Sequence, residues 1–371
     1  MSNALQWNDY SSYIRRTFGE RVQKISVNAG FTCPNRDGKI STDGCIYCTN
    51  KSFSPFYCNS DDSIAVQLQK GIDFFRPKYS AQKYLAYFQS YTNTYVHDWS
   101  AKPSLRPFDR LRERSLGGGL DILRKKFDEA LSVDGVIGLV VSTRPDCIDD
   151  EILKLLADYA ASNYVEIEYG LESTKNSTLE FINRGHTYEQ AVEAVDLTYK
   201  YGIMCGLHLI IGLPYETEDD FYTHAEKISR LPISTLKLHQ MQVLRGTRLE
   251  KLYAENPSMF ADMSLENYVR IVANFMDILN PEIIVERLTS ESPRDMLLYP
   301  DWGGRKNFEV AHIVDAYMKR NGMYQGRKVC QKTSQSEDLS IRRPVCRSVC
   351  LYACRSVRLL DCSTVRLFPL F

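Results

Sequence analysis

The sequence shows no excess of charge of either sign, no long apolar run and no start typical of a secretory signal. Its 46 Lys and Arg are matched by 46 Asp and Glu, so no overall field attracts nucleic acid, although a local basic groove is compatible with this balance. No apolar stretch approaches the roughly 18 residues that indicate a membrane span. Residues 1–10 do not combine a basic segment with an apolar one. We therefore expect a cytoplasmic protein without a membrane partner.

Disulfide bonds are not expected either, although the sequence contains 11 cysteines. In a cytoplasmic protein this number favours metal binding or redox chemistry. Most of the cysteines lie near the two ends of the chain, at Cys33, Cys45, Cys48 and Cys58 and at Cys330, Cys346, Cys350, Cys354 and Cys362. The remaining two, Cys147 and Cys205, lie beside apolar runs and are predicted to be small buried hydrophobic residues.

Three of the cysteines lie in one polar, glycine-containing loop at residues 33–48. Cys45 and Cys48 are separated by two residues, and Cys33 lies at the other end of the loop. Three thiolates are one fewer than the number that fills a [4Fe–4S] cluster or a closed structural zinc site, so a centre here keeps one open position. The residues alone leave three alternatives: a [4Fe–4S] cluster, a zinc site completed by Cys58, and a thioredoxin-like redox pair.

Strand-like and helix-like patterns alternate along most of the chain. Strands are predicted at residues 22–28, 84–89, 136–141, 164–169, 205–211 and 234–238, with amphipathic helices between them. One such helix is predicted to begin at Thr187, which has capping-box spacing to Gln190. Alternation of this kind predicts an α/β fold with a parallel sheet and helices outside it. About six βα units are fewer than the eight of a full barrel, so we expect an incomplete, laterally open, TIM-barrel-like sheet.

The chain is predicted to divide into three segments. Residues 1–245 form the partial barrel, interrupted by an atypical insertion at 98–119. Residues 246–328 form a C-terminal α/β extension that caps the open side of the barrel. Residues 329–371 form an atypical, disordered Cys- and Arg-rich tail, in which a cysteine spacing of four suggests an auxiliary cluster and the repeated composition suggests an inert segment.

Polar residues follow the predicted strands at the point where each strand ends. They are Thr92, Asn93, Thr143, Arg144, Glu172, Gly212, His239 and Gln240. In parallel α/β folds the carboxyl ends of the strands carry the functional site, so we expect these residues to meet there.

Taken together, the cysteine loop with an aromatic residue before its last Cys and the partial barrel resemble the radical S-adenosylmethionine (SAM) superfamily. Further stretches resemble its YhcC-type subgroup, which is related to the radical SAM domain of the Elongator catalytic subunit. They are Cys-Pro-Asn-Arg-Asp-Gly (33–38), Ser-Tyr-Thr-Asn-Thr-Tyr (90–95), Ser-Thr-Arg-Pro-Asp-Cys (142–147), Tyr-Gly-Leu-Glu-Ser (169–173), Ile-Asn-Arg-Gly-His (182–186), His-Leu-Ile-Ile-Gly-Leu-Pro (208–214), Lys-Leu-His (237–239) and Pro-Arg-Asp (293–295). The resemblance covers roughly residues 10–328, and the segments 98–119 and 331–371 depart from it.

This resemblance implies a radical SAM enzyme. Cys33, Cys45 and Cys48 would hold three irons of a [4Fe–4S] cluster, and the amino and carboxylate groups of SAM would take the fourth. Reductive cleavage of SAM would give a 5′-deoxyadenosyl radical that abstracts hydrogen from a substrate. An electron donor of flavodoxin or ferredoxin type is then expected. The Elongator relationship suggests tRNA as the substrate, although the Lys and Arg residues form no obvious stripe.

The resemblance also suggests which residues bind SAM. Thr92 and Asn93 would accept hydrogen bonds from the methionine amino group, and the alternative for them is a strand-end turn. Thr143 and Arg144 would bind the SAM carboxylate or an anionic substrate, and the alternative is an ion pair of Arg144 with Asp146.

Two further SAM contacts are expected at strand ends. Glu172 would bind the ribose hydroxyls or the amino group, with a surface salt bridge as the alternative. Gly212 would let the adenine approach the backbone, with a simple strand terminator as the alternative.

Four other residues, His239, Gln240, Arg184 and His186, are candidates for the substrate side, and His208 is expected to be a satisfied core histidine. A non-catalytic scaffold that binds zinc or an Fe–S cluster is the alternative function.

Overall fold

The computed structural model describes residues 5–49, 54–78, 82–96 and 118–329. The predicted insertion at 98–119 lies outside these ranges apart from its last two residues, and so does the predicted tail at 329–371 apart from Val329. The structure therefore leaves both predictions as they stand.

The described residues contain one large and one small sheet. The strands are β1 (Val22–Val27), β2 (Lys83–Phe88), β3 (Val136–Thr143), β4 (Tyr164–Glu172), β5 (Met204–Ile211), β6 (Thr235–Gln240), β7 (Val243–Leu244), β8 (Ile284–Arg287) and β9 (Leu297–Tyr299). The large sheet has seven strands in the order β1-β2-β3-β4-β5-β6-β8, all parallel, and β7 pairs with β9 in antiparallel fashion. The expected α/β half-barrel is confirmed. Its seventh strand, β8, comes from the segment that was predicted as the C-terminal extension.

Helices connect most of the strands and cover the outside of the sheet. They are α1 (Tyr10–Phe18), α2 (Ile64–Phe75), α3 (Gly118–Leu131), α4 (Asp150–Ala160), α5 (Asn176–Phe181), α6 (Tyr188–Lys200), α7 (Glu218–Ile228), α8 (Arg248–Glu255), α9 (Leu265–Ile278) and α10 (Asn307–Arg320). The predicted capping box at the start of α6 is confirmed, because Thr187 Oγ1 accepts from the Gln190 amide and Gln190 Oε1 accepts from the Thr187 amide. Of the helices in the described ranges, none combines the length and apolarity that a membrane span requires.

The two faces of the sheet differ in chemistry. Side chains alternate along each strand, so every second residue points to the helices and the others point into the curl. The helix-facing set is apolar and fully buried, as at Ile25, Phe88 and Ile167. The inward-facing set is polar and charged over much of its length, as at Lys24 and Glu168. The sheet therefore packs a conventional core on its outer face and holds a buried ion network on its inner face.

The two edges of the sheet approach each other without pairing. No backbone ladder joins β1 to β8 in the part of the chain that the structure describes. Instead, Lys24 of β1 reaches Glu286 of β8 with an Nζ–Oε2 distance of 2.5 Å, and Asp9 forms a single bridge to Val285. Side chains therefore close the curl where backbone hydrogen bonds do not.

Candidate functional site

The carboxyl ends of the strands open into a cleft of about 240 Å³. All three loop cysteines line it. The predicted residues that also line it are Thr92, Thr143, Arg144, Glu172, Arg184, His239 and Gln240. Among the described residues, the lining does not include Asn93, Gly212 or His186. The fold therefore brings the cysteine loop and most of the predicted strand-end residues into one cavity.

The cysteine loop is folded around a partly buried arginine, Arg36. Arg36 donates from Nη2 to the carbonyl of Cys48 at 2.7 Å, and its amide donates to the carbonyl of Cys33 at 2.8 Å. A Cβ on Gly44 would lie only 3.1 Å from Arg36 Nε, and Gly44 has a positive φ of 71°. Glycine is thus required here for two reasons, the left-handed backbone and the close approach of the arginine. The arginine links the first and the last cysteine of the loop.

Other elements hold the loop from outside. Asn183, after α5, donates from Nδ2 to the carbonyl of Gly44 at 2.7 Å, and Arg248 of α8 donates to the same carbonyl at 2.6 Å. Asn35 in turn donates to the carbonyl of Asn183 at 2.5 Å. The loop conformation is therefore fixed by contacts with distant parts of the chain.

Two of the loop thiols lie beside N–H donors and cationic side chains of the protein. Cys45 is buried, and its Sγ accepts from Asn35 Nδ2 at 3.5 Å and from Arg184 Nη1 at 3.7 Å. Burial raises the pKa of Cys48 to about 11, against the attraction of the Arg36 guanidinium. A buried neutral thiol loses its proton when a metal replaces it, and the neighbouring N–H groups then stabilise the thiolate.

Two observations bear on the zinc alternative. A tetrahedron with Zn–S bonds of about 2.3 Å has sulfur atoms roughly 3.8 Å apart. Over the ranges that the structure describes, the three loop sulfurs do not all lie within 4.8 Å of one another. The thiol of Cys58 donates to the carbonyl of Ser26 at 3.0 Å and does not line the cleft. In this structure Cys58 therefore does not join the loop thiols as a fourth ligand.

Asn93 is part of a strand-end turn. Its side chain is fully buried, and Nδ2 donates to the carbonyls of Phe88 and Ser142, each at 2.9 Å. Its Oδ1 is a buried acceptor without a hydrogen-bond partner. The neighbouring Thr92 lines the cleft. The structure thus shows the turn that was the alternative for Asn93 and leaves one acceptor unsatisfied beside the cavity.

Arg144 forms the ion pair that was the alternative to anion binding. It meets Asp146 through two parallel hydrogen bonds, Nε–Oδ1 at 2.9 Å and Nη2–Oδ2 at 2.8 Å, and both side chains are almost fully buried. Burial alone would raise the pKa of Asp146, but Arg144 outweighs it and holds that pKa below the ordinary value. Thr143 Oγ1 shares a hydrogen bond with Thr94 Oγ1 at 2.5 Å.

Glu172 ends β4 in a strained conformation. Its φ is 69°, and the pairing of β4 with β5 shifts register next to it. A carboxylate oxygen lies 3.7 Å from Nη2 of Arg184, and both residues line the cleft, so Glu172 forms an ion pair inside the cavity and not the surface salt bridge that was the alternative. Positive φ in a non-glycine residue costs energy and is found preferentially at functional sites.

Gly212 and His186 have structural explanations. A Cβ on Gly212 would lie 2.7 Å from Met263 Sδ, and its φ is 93°, so both packing and backbone require glycine. His186 contacts the carbonyls of Thr187 and Gly170. Burial lowers the pKa of His186 to about 3, so it is a neutral hydrogen-bonding residue.

The floor of the cleft contains residues that were not predicted for the site. Among them are Tyr87, Gln89, Ser142, Gln242, Arg287, Ser290 and Ser292. The available signal for Tyr87, Ser142 and Arg287 was a polar side chain in the carboxyl-terminal half of a strand, whereas Gln242, Ser290 and Ser292 lie outside the strands and no strand pattern marks them. His208 is hydrogen-bonded to Glu168 Oε2 at 3.0 Å, as expected of a satisfied histidine. It also lines the cleft, which was not predicted.

Two histidines stack at this floor. The rings of His208 and His239 have centroids 5.5 Å apart and an interplanar angle of 27°. Burial lowers the pKa of both, and the nearby guanidinium of Arg287 lowers that of His239 further. Burial would raise the pKa of Glu168, but Lys237 and Lys24 hold it well below the ordinary value. The cleft thus rests on neutral imidazoles above a buried ion network.

The chain is similar to known sequence families, individual proteins and a solved structure. Residues 30–228 match the family model of the Radical SAM superfamily, and residues 233–320 match that of the Radical_SAM C-terminal domain. The chain is 31% identical over 322 residues to protein YtqA of Bacillus subtilis, which covers 87% of this chain and 92% of YtqA. It is 29% identical over 317 residues to protein YhcC of Escherichia coli, and the aligned residues cover 85% of this chain and 93% of YhcC.

More distant similarities extend to other proteins. A tRNA uridine(34) acetyltransferase of Methanocaldococcus jannaschii is 24% identical over 191 residues, which are 50% of this chain and 34% of that protein. The structure of Elp3 from Methanocaldococcus infernus, with an N-terminal deletion, superimposes with a TM-score of 0.58 and 18% identity, over 82% of this chain and 64% of that one. The structural likeness concerns the fold.

Proposed function

The chain belongs to the radical SAM superfamily and to its YhcC-type subgroup, and from this we propose that Cys33, Cys45 and Cys48 are its cluster ligands. It is an enzyme of radical SAM type, and its cofactors are a [4Fe–4S] cluster and S-adenosylmethionine. The observation that supports the ligand assignment is the cleft itself. It collects three spread thiols and the strand-end residues, while Cys58 donates its proton elsewhere.

The residues of the cleft have distinct proposed tasks. Cys33, Cys45 and Cys48 would hold the cluster, which when bound would supply the electron for reductive cleavage of SAM to a 5′-deoxyadenosyl radical. Arg184 and Asn35 donate N–H groups toward Cys45 and so stabilise its thiolate. Glu172 and Thr92 supply the acceptors that an ammonium or ribose hydroxyls require. Arg144 is occupied by Asp146, so we assign it a structural part in this wall of the cleft.

We further propose that the substrate is tRNA. A relative that bears the name tRNA uridine(34) acetyltransferase aligns with half of this chain at 24% identity. The lining of the cleft contains the arginines Arg36, Arg184 and Arg287, besides Arg144, whose charge Asp146 balances, against two glutamates, Glu172 and Glu291. This local excess of positive charge supports binding of an anionic substrate despite the zero net charge of the chain. The electron donor proposed is of flavodoxin or ferredoxin type.

The segment 246–328 is proposed as the unit that completes the cleft. Gln240 at the end of β6 exchanges two hydrogen bonds with Ser290, from Nε2 to the carbonyl at 2.9 Å and from the Ser290 amide to Oε1 at 2.8 Å. Gln242 accepts from Ser292 Oγ at 2.7 Å. These contacts hold the loop after β8 against the end of β6, where it forms one wall of the cavity.

The test of the reaction class is anaerobic reconstitution followed by dithionite reduction with SAM and chromatography for 5′-deoxyadenosine. Product formation should disappear in Cys33→Ala, Cys45→Ala and Cys48→Ala, and iron content should fall. Cys58→Ala is the matched control and should keep both. Wild-type protein that binds one zinc and no iron, or Cys45→Ala protein that still cleaves SAM, would contradict the proposal. For the substrate, binding of tRNA should weaken steeply with salt, and absence of binding at low salt would contradict it.

A further inference from the structure

Arg287, at the end of β8, lines the cleft without an acidic partner. Its Nη2 donates to His239 Nε2 at 2.7 Å. Its Nε is buried and has no hydrogen-bond partner, and within the described ranges no carboxylate forms an ion pair with this guanidinium. A guanidinium carries five N–H donors and matches carboxylate and phosphate groups through two parallel hydrogen bonds. Most of the donor capacity of Arg287 is therefore unused in the cleft.

The other arginines of the cleft have oxygen acceptors of the protein as partners. Arg144 has the carboxylate of Asp146 at 2.8 Å, and Arg36 has the carbonyl of Cys48 at 2.7 Å. Arg184 has the carbonyl of Gly170 at 2.5 Å. Arg287 differs from them because its single described partner is a neutral imidazole.

His239 is the described partner of Arg287, and both residues line the cleft. Burial and the adjacent guanidinium lower the pKa of the imidazole, so the ring is neutral. Because a guanidinium can only donate, Nε2 accepts the hydrogen bond and the ring proton is on Nδ1. His239 therefore offers the cavity no free acceptor at Nε2, and the donors that Arg287 leaves unused suit an anionic oxygen and disfavour a cation.

The backbone on both sides of Arg287 is held by neighbouring elements. Its backbone pairs with Lys237 of β6, whose ammonium contacts both oxygens of Glu168 at 2.7 Å. The loop that follows Arg287 is held by the reciprocal hydrogen bonds between Gln240 and Ser290. The backbone of Arg287 is therefore held in the sheet, and the hydrogen bond to His239 holds the guanidinium at the cleft.

We propose that Arg287 and His239 form an oxyanion subsite, which binds a carboxylate or phosphate group of a molecule held in the cleft. The inference rests on the proposed function for its setting, since that molecule is either SAM, through its carboxylate, or a second molecule with a phosphate, such as a nucleic acid. The subsite itself requires no catalytic turnover, and it can be tested separately.

The test uses inorganic phosphate as the probe and the histidines as reporters. The chain has six histidines, so selective ¹⁵N-histidine labelling gives few signals, and the His239 signal is identified by its loss in His239→Gln. In the reconstituted, oxidised protein we expect the His239 signal to shift saturably with phosphate. The shift should be abolished in Arg287→Gln and reduced in Arg287→Lys, which keeps the charge but loses the planar fork.

Arg245→Gln is the matched control, because Arg245 is exposed and donates to the carbonyl of Asp295 outside the cleft lining. It should respond to phosphate like the wild type. A wild-type signal that does not move with phosphate, or an equal shift in folded Arg287→Gln and Arg287→Lys, would overturn the subsite.

A second arm distinguishes the sources of the anion. SAM affinity is measured for the wild type, Arg287→Gln and Arg245→Gln by equilibrium dialysis. A loss of at least about tenfold confined to Arg287→Gln identifies the SAM carboxylate as the ligand, as expected for a hydrogen bond to a charged group. Unchanged SAM affinity together with the phosphate response identifies a second molecule. Failure of the proposed function would appear elsewhere, as absence of 5′-deoxyadenosine, and leaves the phosphate titration interpretable.

Discussion

A guanidinium nitrogen of Arg184 lies 3.7 Å from the sulfur of Cys45, the most buried of the three loop thiols. The same side chain donates to the carbonyl of Gly170 at the end of β4 and lies 3.7 Å from the carboxylate of Glu172. A single arginine therefore connects the proposed cluster ligand with the strand end that is proposed to bind SAM. We therefore expect a change at Arg184 to affect both the thiolate of Cys45 and the position of the end of β4.

The first prediction concerns the reduction potential. Arg184→Met removes an N–H donor and a positive charge beside Cys45, and both stabilise the more negative, reduced state of a cluster. We expect the midpoint potential to fall by about 60 mV, which corresponds to a tenfold change in the equilibrium constant for one electron. An EPR-monitored redox titration measures it. Arg245→Met is the matched control and should leave the potential unchanged; an unchanged potential in Arg184→Met as well would contradict the assigned contact.

Local patterns were sufficient to predict the sheet. Each strand of the half-barrel apart from β8 was predicted within the barrel segment, because an apolar run bounded by turn residues forms a covered strand wherever it lies. The strand β8 was assigned to the C-terminal extension, because its partner β6 is about fifty residues away and a periodic pattern carries no information on such pairing. The three cysteines of the cleft were likewise predictable, since a short loop brings them together.

The interior of the curl could not be predicted in the same way. Lys24 meets Glu286 across 262 positions of sequence, and Met263 fills the space above Gly212. The sequence left two roles for Arg144, binding an anion or pairing with Asp146, and the structure shows the pair with Asp146. Each of these contacts depends on how the sheet curls, which is a property of the whole fold.

The second prediction concerns the strained strand end. Glu172→Gly removes the cost of a positive φ and should raise the free energy of unfolding by about 1 kcal/mol, at the low end of the usual range because glycine also gains unfolded-state entropy. The same variant should bind SAM more weakly. Glu172→Gln keeps the strain and loses the charge, so it should lose SAM affinity without gaining stability. Urea unfolding and equilibrium dialysis measure the two properties, and a Glu172→Gly protein of lower stability would argue against stored strain.

The third prediction concerns the buried ion network. Lys237→Met leaves Glu168 with fewer partners in a buried site, so we expect a loss of about 3–5 kcal/mol at pH 7. In the wild type the pKa of Glu168 is held well below its ordinary value. Its stabilising contribution is therefore complete above about pH 4.3, the value for an unfolded Glu, and is lost as the pH falls through the lowered pKa. The deficit of Lys237→Met should accordingly shrink toward acidic pH.

Urea unfolding at several pH values measures this deficit. The double variant Lys237→Met, Glu168→Gln removes the uncompensated charge and should recover part of the stability at pH 7. A deficit that does not change with pH, or a double variant no more stable than Lys237→Met, would show that packing and not charge accounts for the loss.

The fourth prediction separates backbone from packing at a predicted cofactor residue. Gly212 and Gly202 both have positive φ, 93° and 69°, but only Gly212 has a neighbour, Met263, within 4 Å of where a Cβ would lie. We expect Gly202→Ala to cost about 1 kcal/mol from the backbone alone, and Gly212→Ala to cost about 1–3 kcal/mol more because the added methyl meets the thioether. In the background of Met263→Ala, the cost of Gly212→Ala should fall toward that of Gly202→Ala. If the two glycines prove equally sensitive in otherwise wild-type protein, while SAM affinity falls in Gly212→Ala alone, the glycine serves the adenine and not the packing of Met263.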